Sequence, residues 1–226
     1  MIKYNIYSSV DPSHFTPVAL NRSSRMPEKL KKRMLIEYAI RKRQKLKQAD
    51  LDGAELPYMN FKNVNLDLSS FEEADLGHSD FEGASMVDVN LKKANLQYSL
   101  LDHADLTFAS LKGANLRGAK LALATLRYAD LTKANLAGAD FERADLKSAN
   151  LEGADLAHAN LESANLAGAN LEGADLMEAN LEDADLTDAN LKGAILIGAK
   201  LPRGSVNPAP AETRAEDTRL TDPRPE

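Results

Sequence analysis

The chain has 226 residues, a formal net charge of -6 and a pI near 5.4, with 43% hydrophobic and 5% aromatic residues and no cysteine. That length suits one sizeable domain with extensions. The missing cysteines exclude a disulfide framework, a thiol nucleophile and any Cys-ligated metal site. Neither a signal-type apolar core nor a long apolar run of membrane-spanning type occurs, so a soluble, cytoplasmic protein is expected.

Residues 1–26 are expected to form an extended arm, in which Ile2, Tyr4 and Ile6 alternate weakly with polar neighbours. Residues 27–48 predict a basic amphipathic helix. Pro27 suits the first turn and Glu28 the positive end of the helix dipole. Its apolar stripe, Leu30, Met34, Leu35, Tyr38 and Leu46, is expected to cap the segment that begins at 49.

From 49 to 201 a large apolar residue stands at every fifth position, 31 times, and 26 of these are Leu. The exceptions are Phe61, Phe71, Phe81, Met86 and Phe141. Ala stands two residues earlier in 25 of 31 cases, and the exceptions all precede residue 100. Ser69 and Ser79 are among those exceptions and are candidates to make room for the larger Phe side chains. Residues 202–226 hold five of the nine prolines and almost no large apolar side chain, so a disordered tail is expected.

A period of five fits neither regular structure. On a helix the leucines would spiral around the axis and form no stripe. On a flat strand alternate leucines would fall on opposite faces. A chain that turns after every fifth residue sends each Leu, and the Ala two before it, into one interior, with Asp or Asn between them facing out. Stacked short segments of this kind predict a solenoid.

The motif Ala-(Asp/Asn)-Leu-x-x, repeated without insertion, resembles the pentapeptide repeat family. That resemblance implies an all-β solenoid, a right-handed quadrilateral β-helix with four pentapeptides per coil. Residues 49–201 would make about seven and a half coils, a rod roughly 35 Å long at a strand spacing of about 4.8 Å.

With four pentapeptides per coil, outward residues form columns. Tyr58, His78 and Tyr98 share one, Leu68, Phe108 and Tyr128 another, and Leu100 and Leu123 lie on a third face. This apolar cluster is the candidate protein-interaction surface. Glu142, Glu162 and Glu182 form an acidic column, with Asp80, Glu82, Asp102, Asp140 and Asp183 nearby. At the C-terminal end Ile195 and Ile197 replace outward polar residues and are candidate end or dimer contacts, so a homodimer through that end is considered. The alternative there is Pro202 and its followers folding across the end.

Charge is divided. Residues 1–48 hold 12 Lys or Arg against 3 Asp or Glu, whereas residues 49–201 hold 12 against 26. The basic strip 41–47 suits its own acidic rod, or else nucleic acid or acidic lipid. No metal-ligand, phosphate-loop or nucleophile-elbow pattern appears. No catalytic residue, cofactor or metal is therefore assigned, and an enzyme is not expected. The leading expectation is a non-enzymatic protein-interaction or scaffold module with a protein partner. One alternative, implied by the family resemblance, is a DNA mimic that binds a type II topoisomerase and protects it from quinolones. Another is membrane-surface association through the basic helix. Direct nucleic-acid binding is not expected.

Overall fold

The computed structural model describes residues 28–41 and 46–203, and the expected arm and tail lie outside them. From Leu46 onward nearly every pentapeptide makes the same two moves, the exception being 56–59, where Met59 N donates to Ser79 Oγ instead. The Leu carbonyl accepts a hydrogen bond from the Ala three residues on, as Leu51 O does from Ala54 N at 3.1 Å, closing a β-turn. The chain then pairs, one residue at a time, with the coil after it. Parallel bridges join Asp50 to Ser70, Glu55 to Asp75, Asn60 to Asp80 and so on to Asn180 with Lys200, always four pentapeptides apart. Four turns between one residue and its bridge partner make a four-sided coil.

Each side can be named by its bridging residues. Side one carries 50, 70, 90 and onward, side two 55, 75, 95, side three 60, 80, 100, and side four 65, 85, 105. The turns between them are corners. The hydrogen bonds are short and regular: Leu51 N donates to Ser70 O at 2.7 Å, and Ser70 N returns to Ala49 O at 2.8 Å.

The interior is a solid column. The Leu at every fifth position from 51 to 181, with Phe61, Phe71, Phe81, Phe141 and Met86 in the same series, have no solvent exposure, and nearly all the Ala two before them are buried. Each such Leu contributes about 1.5–3 kcal/mol, and Ala beside it leaves no void in the narrow square section. Three of the four core phenylalanines lie against one another. Phe61 stacks on Phe81, one coil away, at 4.9 Å, and meets Phe71 edge-on at 6.1 Å. Ser69 and Ser79 also make hydrogen bonds of their own. Their hydroxyls donate to Leu46 O at 2.7 Å and Leu56 O at 2.9 Å, tying consecutive coils.

The corner requires a backbone that side chains resist. The second residue after every Leu position has positive φ, from Gln48 at 62° to Gly198 at 72°. Ten of these are Gly, which meets no Cβ penalty there. Twenty-one are not, and none is Val, Ile or Thr, the residues for which this conformation is most costly. The outward Asp or Asn supports the turn. Its Oδ1 accepts the N–H two residues on, as Asn60 does from Lys62 at 3.0 Å and Asp155 from Ala157 at 3.1 Å.

The N-terminal end is covered. Helix α1 spans Glu28–Arg41, and of the expected 27–48 the described residues 46–48 are not helical. Ile36 and Ala39 are buried in the same apolar cluster as the first coil, with Ile40 packed against it. Arg33 Nη1 donates to Pro57 O at 2.9 Å, a carbonyl that no preceding coil can reach. Two expected capping contacts need correction. Met34 is 50% exposed, because the face that meets the rod runs through 36, 39 and 40. Leu46 is buried, but as the first rung of the rod and not on a helix: Ala49 N donates to its carbonyl at 3.1 Å and Gln48 N to Asp67 O at 2.9 Å. Tyr38 is half-buried, and the side chains of Leu30 and Leu35 lie outside the described residues.

The C-terminal end differs. Leu186, Leu191, Leu196 and Leu201 are only partly buried, and no described residue covers them.

Candidate functional site

Among the described residues, the outward columns are the features on which chemistry could be built, since the interior is filled. Tyr58, His78 and Tyr98 follow one another up the corner between sides two and three. Their rings stack at 4.9 and 5.3 Å, with interplanar angles of 6° and 23°. The column continues over Gly118, where an added Cβ would come 2.6 Å from Tyr98 Cε1, so the Tyr98 ring lies against that backbone. Tyr58 is 69% exposed and Tyr98 47%. Leu100, also exposed, follows two residues after Tyr98 on side three and bridges Asp80 and Lys120.

The other apolar candidates stand elsewhere. Phe108 and Tyr128 stack at 5.2 Å on the corner between sides four and one, diagonally opposite the first ladder. Leu68 is exposed on that corner, with Asp88 at the level between it and Phe108. Leu123 is exposed on the corner between sides three and four. The cluster is therefore several surfaces: Tyr58, His78 and Tyr98 with Leu100 two residues on, the Phe108–Tyr128 pair with Leu68 on its corner, and Leu123 on a third corner. All except Leu100 occupy the positive-φ position, which fixes their direction off the corner.

Glu142, Glu162 and Glu182 stand one coil apart on side three, partly neutralised by neighbours. Glu142 lies 3.9 Å from Arg143, Glu182 lies 3.7 Å from Arg203, and Glu162 accepts Asn180 Nδ2 at 3.1 Å. Beside it Lys120 meets Asp140 at 3.2 Å and Lys62 meets Glu82 at 2.6 Å. Burial would raise the Asp140 carboxyl, but hydrogen bonds from Glu142 N, Lys120 and Asn160 hold it below its ordinary value. Asp67 is lowered in the same way: hydrogen bonds from Ser85, Asn65 and Val87 N outweigh burial. Glu172 is lowered by Lys192 and Asn190, and Asp185 by Thr187.

Ile195 and Ile197 are exposed, Ile197 by 63%. Met177, which the sequence reading passed over, is exposed one coil before Ile197 on the same corner. Among the described residues no three His, Asp or Glu side chains gather where a metal ion could be held. No described helix is long and apolar enough to cross a membrane.

A four-sided coil, one bridge per side and a Leu column within define a solenoid of pentapeptides. The Pentapeptide repeats family model matches the chain in eight copies, over residues 45–83, 84–122, 124–162, 154–193 and 164–202. The chain belongs to the pentapeptide repeat family, which makes the solenoid a right-handed β-helix. It is similar to HetL, a pentapeptide repeat protein involved in heterocyst differentiation regulation in the cyanobacterium Nostoc sp. strain PCC 7120. The identity is 34%, over 70% of this chain and 83% of that one, with a TM-score of 0.36. A pentapeptide repeat protein of the Arabidopsis thaliana thylakoid lumen is 22% identical over 52% of this chain and 68% of that one, TM-score 0.37. QnrB1, a plasmid-mediated fluoroquinolone resistance protein, is 21% identical over 69% and 84%, TM-score 0.34. No curated protein sequence matches significantly.

Proposed function

We propose that the chain is a non-enzymatic protein-interaction or scaffold module of the cytoplasm, and that its docking edge is the corner carrying Tyr58, His78 and Tyr98 with adjoining Leu100. The ring ladder carries this reading. Three exposed rings held in register at 4.9 and 5.3 Å present apolar surface that is already ordered. Docking on it costs little side-chain entropy, and aromatic anchors of this kind dominate binding energy. The filled Leu column supports a non-enzymatic reading, because it leaves no interior room for a substrate.

The test is affinity capture from the native cell extract with the full chain and with a Tyr58→Ser, Tyr98→Ser, Leu100→Ser variant. Specific loss of a captured protein, with an unchanged melting curve, supports the ladder as the docking edge. Identical capture by both proteins would remove it.

One observation favours a second reading, the DNA mimic that binds a type II topoisomerase. Residues 148–191 carry ten Asp or Glu, Glu162 and Glu182 among them, and no Lys or Arg. Pairing through Ile195 and Ile197 would double the length of that acidic rod. Supercoiling by purified DNA gyrase with and without the chain tests it, and activity unchanged at a large excess of the chain would exclude it. The membrane-surface reading is weakened by α1, whose Ile36 and Ala39 are spent on the rod.

A further inference from the structure

We propose that side two, over the three coil levels of Asn95, Asn115 and Asn135, is a docking site for a short acidic peptide segment of a partner protein. This rests on the reading of the rod as an interaction module but uses a surface other than the aromatic ladder.

The stretches KKANLQY from Lys92, KGANLRG from Lys112 and TKANLAG from Thr132 stack on one another, each one coil after the last. They bring together Lys92, Lys93, Lys112, Lys133 and Arg117, all exposed, without one carboxylate. The same side is acidic one coil earlier, with Glu72, Glu73 and Asp75, and one coil later, with Glu152 and Asp155. Lys93 pairs with Glu73 at 2.8 Å. Lys92, Lys112, Lys133 and Arg117 make no ion pair with a described residue. Around the lysine corner, at these levels, side one adds a single carboxylate, Asp130, whose Oδ1 accepts from Thr132 N and Oγ1.

The asparagines supply an independent observation. At many other levels their amide N–H groups are spent on the coil before: Asn160 donates to Asp140 at 3.0 Å, Asn165 to Asp145 at 3.1 Å and Asn170 to Asn150 at 3.1 Å. Asn95 likewise donates to Asp75 at 2.8 Å. Asn115 and Asn135 donate to no described group, while their Oδ1 atoms accept from Arg117 N at 3.3 Å and Ala137 N at 3.1 Å. The oxygens are used and the donors remain. The surface between the lysine corner and Arg117 thus offers ammonium, guanidinium and amide N–H groups, a set that carboxylates satisfy. At the far corner Ala137 and Gly138 leave it open, and a Cβ on Gly138 would meet nothing within 4 Å.

Size and chemistry select an acidic peptide over a nucleic acid. The donor surface spans three levels, about 10 Å along the axis. A longer polyanion would run onto Glu72, Glu73 and Asp75 or onto Glu152 and Asp155. An extended peptide repeats its side chains on one face about every 6.8 Å, so two or three acidic residues fit. Bordering Tyr98 offers no base-stacking platform, since His78 covers one ring face at 5.3 Å and Gly118 the other.

The test is fluorescence anisotropy of a labelled hexaglutamate peptide with the full chain at low ionic strength. The wild type binds it, and added salt weakens binding. Lys92→Glu, Lys112→Glu, Lys133→Glu together lower affinity at least tenfold. Asn115→Asp with Asn135→Asp also lowers it, in a variant that folds because the repeat uses Asp and Asn interchangeably there. Lys147→Glu, outside the patch, leaves it within twofold. The proposal is overturned if the wild type fails to bind, if the triple variant binds as the wild type does, or if Lys147→Glu is equally damaging. It is also overturned if a twelve-residue oligothymidylate binds more tightly at the same lysines. Absence of peptide binding by the wild type, with ladder-dependent partner capture intact, rejects this site alone; peptide binding with capture that does not depend on the ladder rejects the ladder alone.

Discussion

The unequal ends of the rod predict unequal costs for one substitution made twice. Leu136 has no exposure and lies mid-column, with coils before and after it. Leu136→Ala removes three buried carbons and leaves a hole walled largely by Ala, which has no rotamers with which to refill it. Leu→Ala in such a site costs about 3–5 kcal/mol, the upper part of the usual range. Leu196 is partly exposed in the last coil, where no described coil follows. Leu196→Ala forms no closed cavity and loses only part of the transfer energy, roughly 1–2 kcal/mol. Urea unfolding followed by far-ultraviolet circular dichroism compares the two, with hydrogen exchange to show whether the loss at Leu196 stays in the terminal coil. A cost below about 1 kcal/mol at Leu136 refutes its inward assignment. Equal costs at both sites refute the open end and mean that a second chain or residues 204–226 cover it in solution.

Gly118→Ala should destabilise by more than about 1 kcal/mol, since it combines a positive-φ penalty of about 1 kcal/mol with a Cβ 2.6 Å from the Tyr98 ring. Gly138→Ala, with open space, should cost the backbone term alone, and thermal melts of the pair separate the two effects. At Leu123, where φ is 60°, Val should lower the melting temperature and Asn should raise or preserve it, because a β-branched residue resists that conformation and Asn accepts it. Asp67, Asp140, Glu172 and Asp185 are held below their ordinary values, so the stability they supply is present above the unfolded carboxylate range near 4 and lost as pH falls through the folded values. A melting temperature steady from pH 7 to 5 and falling below about pH 4 is expected; a flat profile down to pH 2 contradicts it.

Much of the candidate surface was legible because outward direction follows from position within the pentapeptide. Tyr58, His78 and Tyr98 could be placed in one column once a coil of four pentapeptides was assumed. The free donors of Asn115 and Asn135 could not be read, because Asn95, Asn160 and Asn115 stand in the same local motif. Nor does the residue one coil before settle it: Asn170 donates to Asn150, whereas Asn115, stacked on Asn95 in the same way, does not donate. Leu46 was readable and passed over, since LKQADL already carries the repeat's spacing but was absorbed into the basic helical run.

By itself the sequence determined which residues face inward, where the chain turns and that a helix precedes the repeat. These follow from hydrophobic spacing and turn chemistry within a few residues. Only the tertiary structure decided that four pentapeptides close a coil, which columns adjoin, that the two aromatic ladders stand on opposite corners, and that one end is covered while described residues leave the other open. Coil closure sums the angles of four turns, and contact between coils depends on residues a whole coil apart. No local pattern carries either quantity.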